Sequence, residues 1–239
     1  MLEDIIKLPL IKKTIQRGVS IVGFIYSHSS TLSLLRQFTN KRKLVRHAAT
    51  RFATSYLSLQ RLHQEKGNLR KMLNSNEWSN NKLSKESKGK EVTKIVLMPS
   101  FWNHVVFLLK VMAPLVHILR LVDGERKVAM GYIYKTMEKV KETIMKFFNN
   151  NESKYKDIFT IIDNRWTCQL HHPLPAAGHF LNLELYYSNT EVDYDLEVTN
   201  GLYACIKRLV PTKDVQQKNL IELPLYKSGS GLFGDDFAK

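Results

Sequence analysis

Lys41, Arg42, Lys43 and Arg46 place four cations within six residues, and Arg51-Phe52 follows a few positions later. Clustered cations neutralise nucleic-acid phosphates, and an adjacent aromatic ring stacks on an unpaired base for about 1–3 kcal/mol. These six residues form the candidate nucleic-acid-binding site. Two readings stay open for Phe52, a stacking ring or the first core residue of an amphipathic helix. For the cluster, a solvated basic face with no partner is the alternative.

Other chemistries lack their constellations. His171, His172 and His179 lie near Cys168, but neither zinc-finger nor His-Glu-x-x-His spacing is present, so these residues read as structural. Gly229, Gly231 and Gly234 lack the strand-to-helix context of a phosphate loop and read as a turn. There is no Gly-x-Ser-x-Gly nucleophile, and Cys205 sits in an apolar run as a small core residue. Two-metal chemistry needs carboxylates that hold ions about 4 Å apart. Here Asp123 reads as a helix cap, Asp163 lies beside Arg165-Trp166 in a helical segment, and the acids of 191–197 form a solvated stretch. No catalytic residue, metal or cofactor is expected, and the chain is not expected to be an enzyme.

Charge supports a polyanionic partner. Across 239 residues, 36 lysines and arginines face 22 acids, for a formal net charge of +14. Residues 1–94 carry nineteen of those cations and six of the acids, so nearly all of the excess sits in the first two-fifths of the chain. Such asymmetry favours nucleic acid over an anionic membrane, since no basic amphipathic surface helix stands out. The balance of 44% hydrophobic and 24% charged residues argues against wholesale disorder, a collagen-like repeat or a membrane bundle. Two cysteines give no disulfide framework and fit a reducing compartment, and the N-terminus lacks a signal-peptide pattern. The apolar run Phe101–Val122 is interrupted by Asn103, His104, Lys110, His117 and Arg120, so it reads as a buried core helix and no membrane partner is expected.

The elements that must hold the basic cluster are helical. Ile11, Ile15, Val19, Val22 and Ile25 or Tyr26 recur every three or four residues, with Pro9 marking the start and Gly18 and Gly23 weakening the helix slightly. A break follows His28, and Ser30 is the expected cap of a short helix through Phe38. After the basic connector, Phe52, Tyr56, Leu59 and Leu62 or His63 repeat at helical spacing, and 66–73 continues as a second short helix. Residues 74–94 are so polar that an exposed, mobile loop is expected. Ser100 is expected to cap a helix through Leu121, with a kink at Pro114. A turn at Asp123-Gly124 leads to a partner helix carrying Ile133, Met137, Val140, Ile144 and Phe147 or Phe148. Residues 154–210 read as shorter helices broken at Pro173, Pro175 and the 191–197 segment, and 228–234 as loop. The fold class is mainly α. Three regions are expected: a basic region 1–75, a polar loop 76–94 and a helical region 95–239.

Several segments together resemble the hAT-type cut-and-paste transposases of plants. They are Met1-Leu-Glu-Asp-Ile, the Thr50–Leu59 run, Phe101-Trp102, the Pro114–Gly124 segment, Ile162-Asp-Asn-Arg-Trp166, Leu170–Asn182 and Gly231-Leu-Phe-Gly234. Their order and spacing carry the resemblance. It implies the helical insertion region of an RNase H-like transposase, here with an incomplete RNase H-like portion. The family's three metal-binding acids, zinc finger and C-terminal dimerisation segment have no counterpart in this sequence. Residues 1–75 would be the partial RNase H-like portion and 95–239 the insertion. In that family an Arg-Trp pair near the cleavage site stacks on a flipped base. Arg51-Phe52 falls at its place with phenylalanine for tryptophan, and Pro175 stands where relatives usually carry histidine. The expectation is a transposase-derived, catalytically inactive nuclear protein that binds DNA without sequence preference. The alternative is a helical protein-interaction module, or a non-functional transposon remnant, without DNA binding.

Overall fold

Apolar residues three and four apart run through most of the chain, and the regular elements among the described residues are all helical. The computed structural model describes residues 1–46, 52–122, 129–167, 172–188 and 192–235. The mainly α class is therefore what the backbone adopts. The chain divides into two compact units, residues 1–116 and 117–239.

The first unit begins with α1 (Leu2–Lys7), α2 (Pro9–Ser27) and α3 (Ser29–Phe38). Pro9 opens α2 at a position where no backbone N–H is needed. The chain bends by 105° between α2 and α3. At this corner the buried Thr31 hydroxyl lies 2.8 Å from the Ile25 carbonyl and 2.9 Å from that of His28, tying the two helices together. His28, not Ser30, occupies the cap position of α3. The apolar stripe of α2 also differs from expectation at three positions. Val19 is exposed, while Ile21 and Phe24 join Ile11, Ile15, Val22 and Ile25 in the core.

α4 (Phe52–Gln64) and α5 (Lys66–Leu73) pack on α2 and α3 respectively. Gly18 makes the first of these contacts possible. A Cβ there would lie 2.5 Å from Leu59 Cδ2, so the residue expected only to weaken the helix sets the approach of α4.

The stretch expected as a polar loop is helical, as α6 (Asn76–Asn80), α7 (Lys82–Lys85) and α8 (Ser87–Leu97). Widely spaced apolar residues suffice there, because Trp78, Val92, Ile95 and Val96 are all buried, and α8 packs against α2 and α5. Ser75 and Asn81 cap α6 and α7 by accepting from the backbone N–H groups of Trp78 and Leu83.

α9 (Pro99–Val122) starts one residue before the expected Ser100 and continues past Pro114. Phe101, Trp102, Val105, Leu108, Val111 and Met112 are fully buried, and the Trp102 indole donates to the Val96 carbonyl at 2.7 Å. By length and hydropathy its Pro99–Arg120 segment also meets the requirement for crossing a membrane. The division into units falls within this helix. The expected turn at Asp123-Gly124 lies outside the described residues.

The second unit contains α10 (Ala129–Phe147), α11 (Lys156–Arg165), α12 (Pro173–Phe180), α13 (Leu183–Ser188), α14 (Leu196–Leu209) and α15 (Lys213–Ser228). α12 packs against α10, α13 and α14. Pro175 does not break it, because it sits in the first helical turn, where backbone N–H groups have no partner within the helix. α10 and α12 cross closely at Gly131 and Gly178: a Cβ on Gly131 would lie 2.6 Å from the Gly178 carbonyl oxygen. Asp195, expected in a solvated acidic stretch, caps α14 by accepting from the N–H groups of Glu197 and Val198. The core gathers Tyr134, Phe180, Tyr186 and Tyr226 around Ala176, Ala177, Val198 and Leu202. Tyr226 donates its hydroxyl proton to the Phe180 carbonyl at 2.6 Å.

His179 is buried in this unit, stacked on Tyr134, with Nδ1 3.0 Å from the Gly131 carbonyl oxygen. Burial pushes its pKa below the ordinary 6.5, and the bond to Gly131 only partly offsets this. The unfolded chain therefore binds the proton more readily. Stability is fully present above about pH 6.5 and is lost as the pH falls below it, toward the folded-state value. His63 in the first unit shifts in the same direction, again mainly through burial. The His179 share is isolated by comparison: the drop in thermal midpoint between pH 7 and pH 5 should be smaller in His179→Leu than in the unmodified chain.

Candidate nucleic-acid interface

The basic cluster is positioned by a reversal that begins at the end of α3. The Lys41 N–H donates to the Arg36 carbonyl at 2.9 Å, and Asn40 and Lys41 take left-handed backbone angles, with φ of 51° and 63°. Asparagine tolerates that region, whereas Lys41 there costs on the order of 1–2 kcal/mol, which the contacts beyond the turn must offset. Thr39, fully buried, places its hydroxyl 2.9 Å from both the Leu35 and the Arg42 carbonyl. Residues 42–46 then run without helix beside α2 and α3. Three further contacts fix this segment. The Leu44 side chain is buried, the Leu44 carbonyl accepts from the Tyr26 hydroxyl at 2.9 Å, and the Val45 carbonyl accepts from Ser58 Oγ at 2.9 Å.

The result is a hollow of about 320 Å³. Leu32, Leu35 and Leu44 supply its apolar lining, and Arg36, Arg42, Lys43 and Arg46 bring four cations to it. The Arg46 guanidinium carbon lies 4.4 Å from the centre of the Tyr26 ring, a cation–π contact that orders an exposed side chain. Arg36, Lys43 and Arg46 are exposed and have no carboxylate partner among the described residues.

Arg42 differs from its neighbours. Its Nη1 lies 3.8 Å from Oε1 of Glu65, whose side chain is only 1% exposed. The other Glu65 oxygen accepts from Asn68 Nδ2 at 2.7 Å, and Oε1 has no hydrogen-bond partner. Arg42 therefore compensates a buried carboxylate as well as contributing to the basic surface.

Of the expected residues, the structure brings Arg42, Lys43 and Arg46 to one hollow. Lys41 is exposed on the turn that precedes them. Arg51 lies outside the described residues, as does the side chain of Phe52, the first residue of α4. Sequence reasoning missed Arg36 and Tyr26. The visible signals were the position of Arg36 in the last turn of a short helix, directly before the cluster, and the polar tip of Tyr26 at the end of an apolar stripe.

Of the other candidates, Asp195 and Glu197 lie near Glu138, whose carboxyl is pushed up first by burial and then by these two acids; the rest stand apart. His172 is exposed at the cap position of α12, and Asp163 pairs with Lys141. Burial pushes the Cys205 thiol up, against an opposing pull from Arg208. Cys168 and His171 lie outside the described residues. Among the described residues, no group of three or more His, Cys, Asp or Glu side chains is arranged to hold a metal ion.

Charge follows the division into units. Residues 1–116 hold twenty lysines and arginines and six acids, whereas residues 117–239 hold sixteen of each, so the whole formal excess of +14 belongs to the first unit. No protein-family model matches the chain, and comparisons with curated proteins and with solved structures give no match.

Proposed function

We propose that the chain is a DNA-binding protein that contacts backbone phosphates through its first unit and performs no phosphodiester chemistry of its own. The observation that carries this reading is the hollow in which Arg36, Arg42, Lys43 and Arg46 meet, on a unit that holds the entire net charge. Phosphate contacts give affinity with little sequence discrimination. Three of the acids have structural partners: Asp195 caps a helix, Asp163 pairs with Lys141, and Glu65 faces Arg42. Descent from a hAT-type transposase, with the helical insertion region as the retained part, belongs to the same proposal and rests on the segments from Met1-Leu-Glu-Asp-Ile to Gly231-Leu-Phe-Gly. So does a nuclear location, supported by Lys41-Arg42-Lys43 as an import signal. α9 is read as a core helix on the buried side chains it carries, and no membrane partner is assigned.

Fluorescence anisotropy with a 20-base-pair duplex tests the binding. Four phosphate contacts predict that log K falls against log salt with a slope of about −3.6. Affinity that does not change between 50 and 200 mM salt, or no binding at all, would refute the reading. Incubation of the same duplex with Mg²⁺ or Mn²⁺ tests the other half, since metal-dependent cutting would make the chain an enzyme.

The second reading, a protein-interaction module, is favoured by one observation. The charge-balanced second unit exposes Leu181, Leu209, Ile221 and Leu225, each more than half accessible. Salt-independent behaviour of the whole chain would favour that reading over the first.

A further inference from the structure

We propose that the hollow beside Tyr26 takes a single unpaired nucleotide, so that the chain prefers single-stranded DNA to duplex. This inference rests on the nucleic-acid reading above and goes beyond it in assigning the form of the ligand.

Three features carry it. The first is shape. Contact with duplex phosphates needs only exposed cations, whereas these four surround a concavity of about 320 Å³. That volume lies at the small end of the range for ligand pockets, about 300–1,000 Å³, a size suited to one nucleotide and not to a helix.

The second is lining. Leu32, half-buried, brings apolar surface to a place ringed by charge, with Leu35 and Leu44 buried beneath it; a phosphate does not use such surface and the face of a base does. A base paired within a duplex keeps that face stacked on its neighbours.

The third is the state of Arg46. One side of its guanidinium is engaged by the Tyr26 ring, and the Tyr26 hydroxyl is tied to the Leu44 carbonyl, so ring and backbone form one support. Guanidinium planes stack on splayed bases, and one already ordered on a ring loses less freedom when it does so. In this arrangement the base lies against Arg46 and Leu32, and its phosphate falls among Arg36, Arg42 and Lys43. The flat group, not the charge alone, distinguishes the unpaired strand.

The experiment uses the full chain and compares a dye-labelled 20-nucleotide oligo(dT) with a 20-base-pair duplex at about 100 mM salt, for the unmodified protein and for Arg46→Lys. Lysine keeps the charge and loses the plane. Oligo(dT) affinity should fall about tenfold in the variant, within the range of a lost stacking contact, while duplex affinity stays within about twofold. Equal losses on both ligands, or none on either, would overturn the proposal and leave duplex binding standing. Failure of the unmodified chain to bind either ligand would remove the broader reading as well. Free thymidine monophosphate should displace oligo(dT) only at far higher concentration. If it binds as tightly as the strand, the site belongs to a free nucleotide and the strand assignment is wrong. Photo-cross-linking of the unmodified chain to an oligonucleotide carrying 5-iodouracil does not depend on any variant folding. The modified peptide should fall within residues 26–46, and a cross-link found only elsewhere would overturn the assignment.

Discussion

Replacing Arg36, Lys43 and Arg46 together by glutamine should weaken duplex binding at low salt by about ten- to a hundredfold and flatten the plot of log K against log salt by about 2.7. The three are chosen because they are exposed and have no carboxylate partner among the described residues, so their removal breaks no ion pair and costs only the exposed Arg46–Tyr26 cation–π contact. Arg42 is kept. Without it the Glu65 carboxylate, 1% exposed, would lose the cation it pairs with among the described residues, and weakened binding could then come from a damaged fold. The informative control is Lys85, Lys88 and Lys90 to glutamine. These residues are also exposed in the first unit and carry the same total charge, but they stand on α7 and α8 and line no part of the hollow. If convergence of the cations matters, the control loses far less affinity than the first variant. Equal losses would show that binding responds to net charge alone, and the hollow would then have no special role. Both variants should keep the thermal midpoint of the unmodified chain, since exposed charges contribute little to stability.

How far the sequence reveals this architecture depends on which force decides each element. The cores of α2 and α10 were legible because their apolar residues recur at helical spacing, and that of α9 because its apolar run is long and little interrupted; burial against neighbours is what holds such helices. The polar stretch 74–94 was not. Only a few apolar side chains interrupt its lysines, serines and asparagines, and composition weighs all positions alike, whereas tertiary packing needs only Trp78 and Val92 to point inward, with Ile95 and Val96 just beyond continuing the buried face of α8. Gly18 shows a similar gap: its helix propensity is visible, while the approach of Leu59 is a matter of three-dimensional packing. At the candidate site, the cations of 41–46 were readable as a cluster from linear proximity. Tyr26 and Arg36 were not, because the corner at His28 and the left-handed turn at Asn40-Lys41 bring them to the cluster, and both are conformational events.

Trp78→Ala should destabilise the chain by about 3–5 kcal/mol, a large part of the 5–15 kcal/mol typical of a folded domain. The indole is 3% exposed, in a five-residue helix that could not persist alone. It meets Phe24 of α2 edge to face, with ring centres 6.2 Å apart, and donates from Nε1 to the Thr93 hydroxyl of α8 at 3.2 Å. Removing it deletes the apolar contact that joins α6 to both helices. Trp78→Phe separates the contributions. It keeps most of the buried ring and loses the donor, so it should cost far less, about 1 kcal/mol for the hydrogen bond plus a small packing term. Urea unfolding measures both. A loss below about 1 kcal/mol for the alanine variant would mean that the 76–94 helices are not held as described. A link to the site follows from position, because Phe24 lies in the same final turn of α2 as Tyr26, which supports Arg46 and the Leu44 carbonyl. Measured well below its melting point, Trp78→Ala should therefore also bind DNA more weakly than Trp78→Phe, although Trp78 itself does not line the hollow.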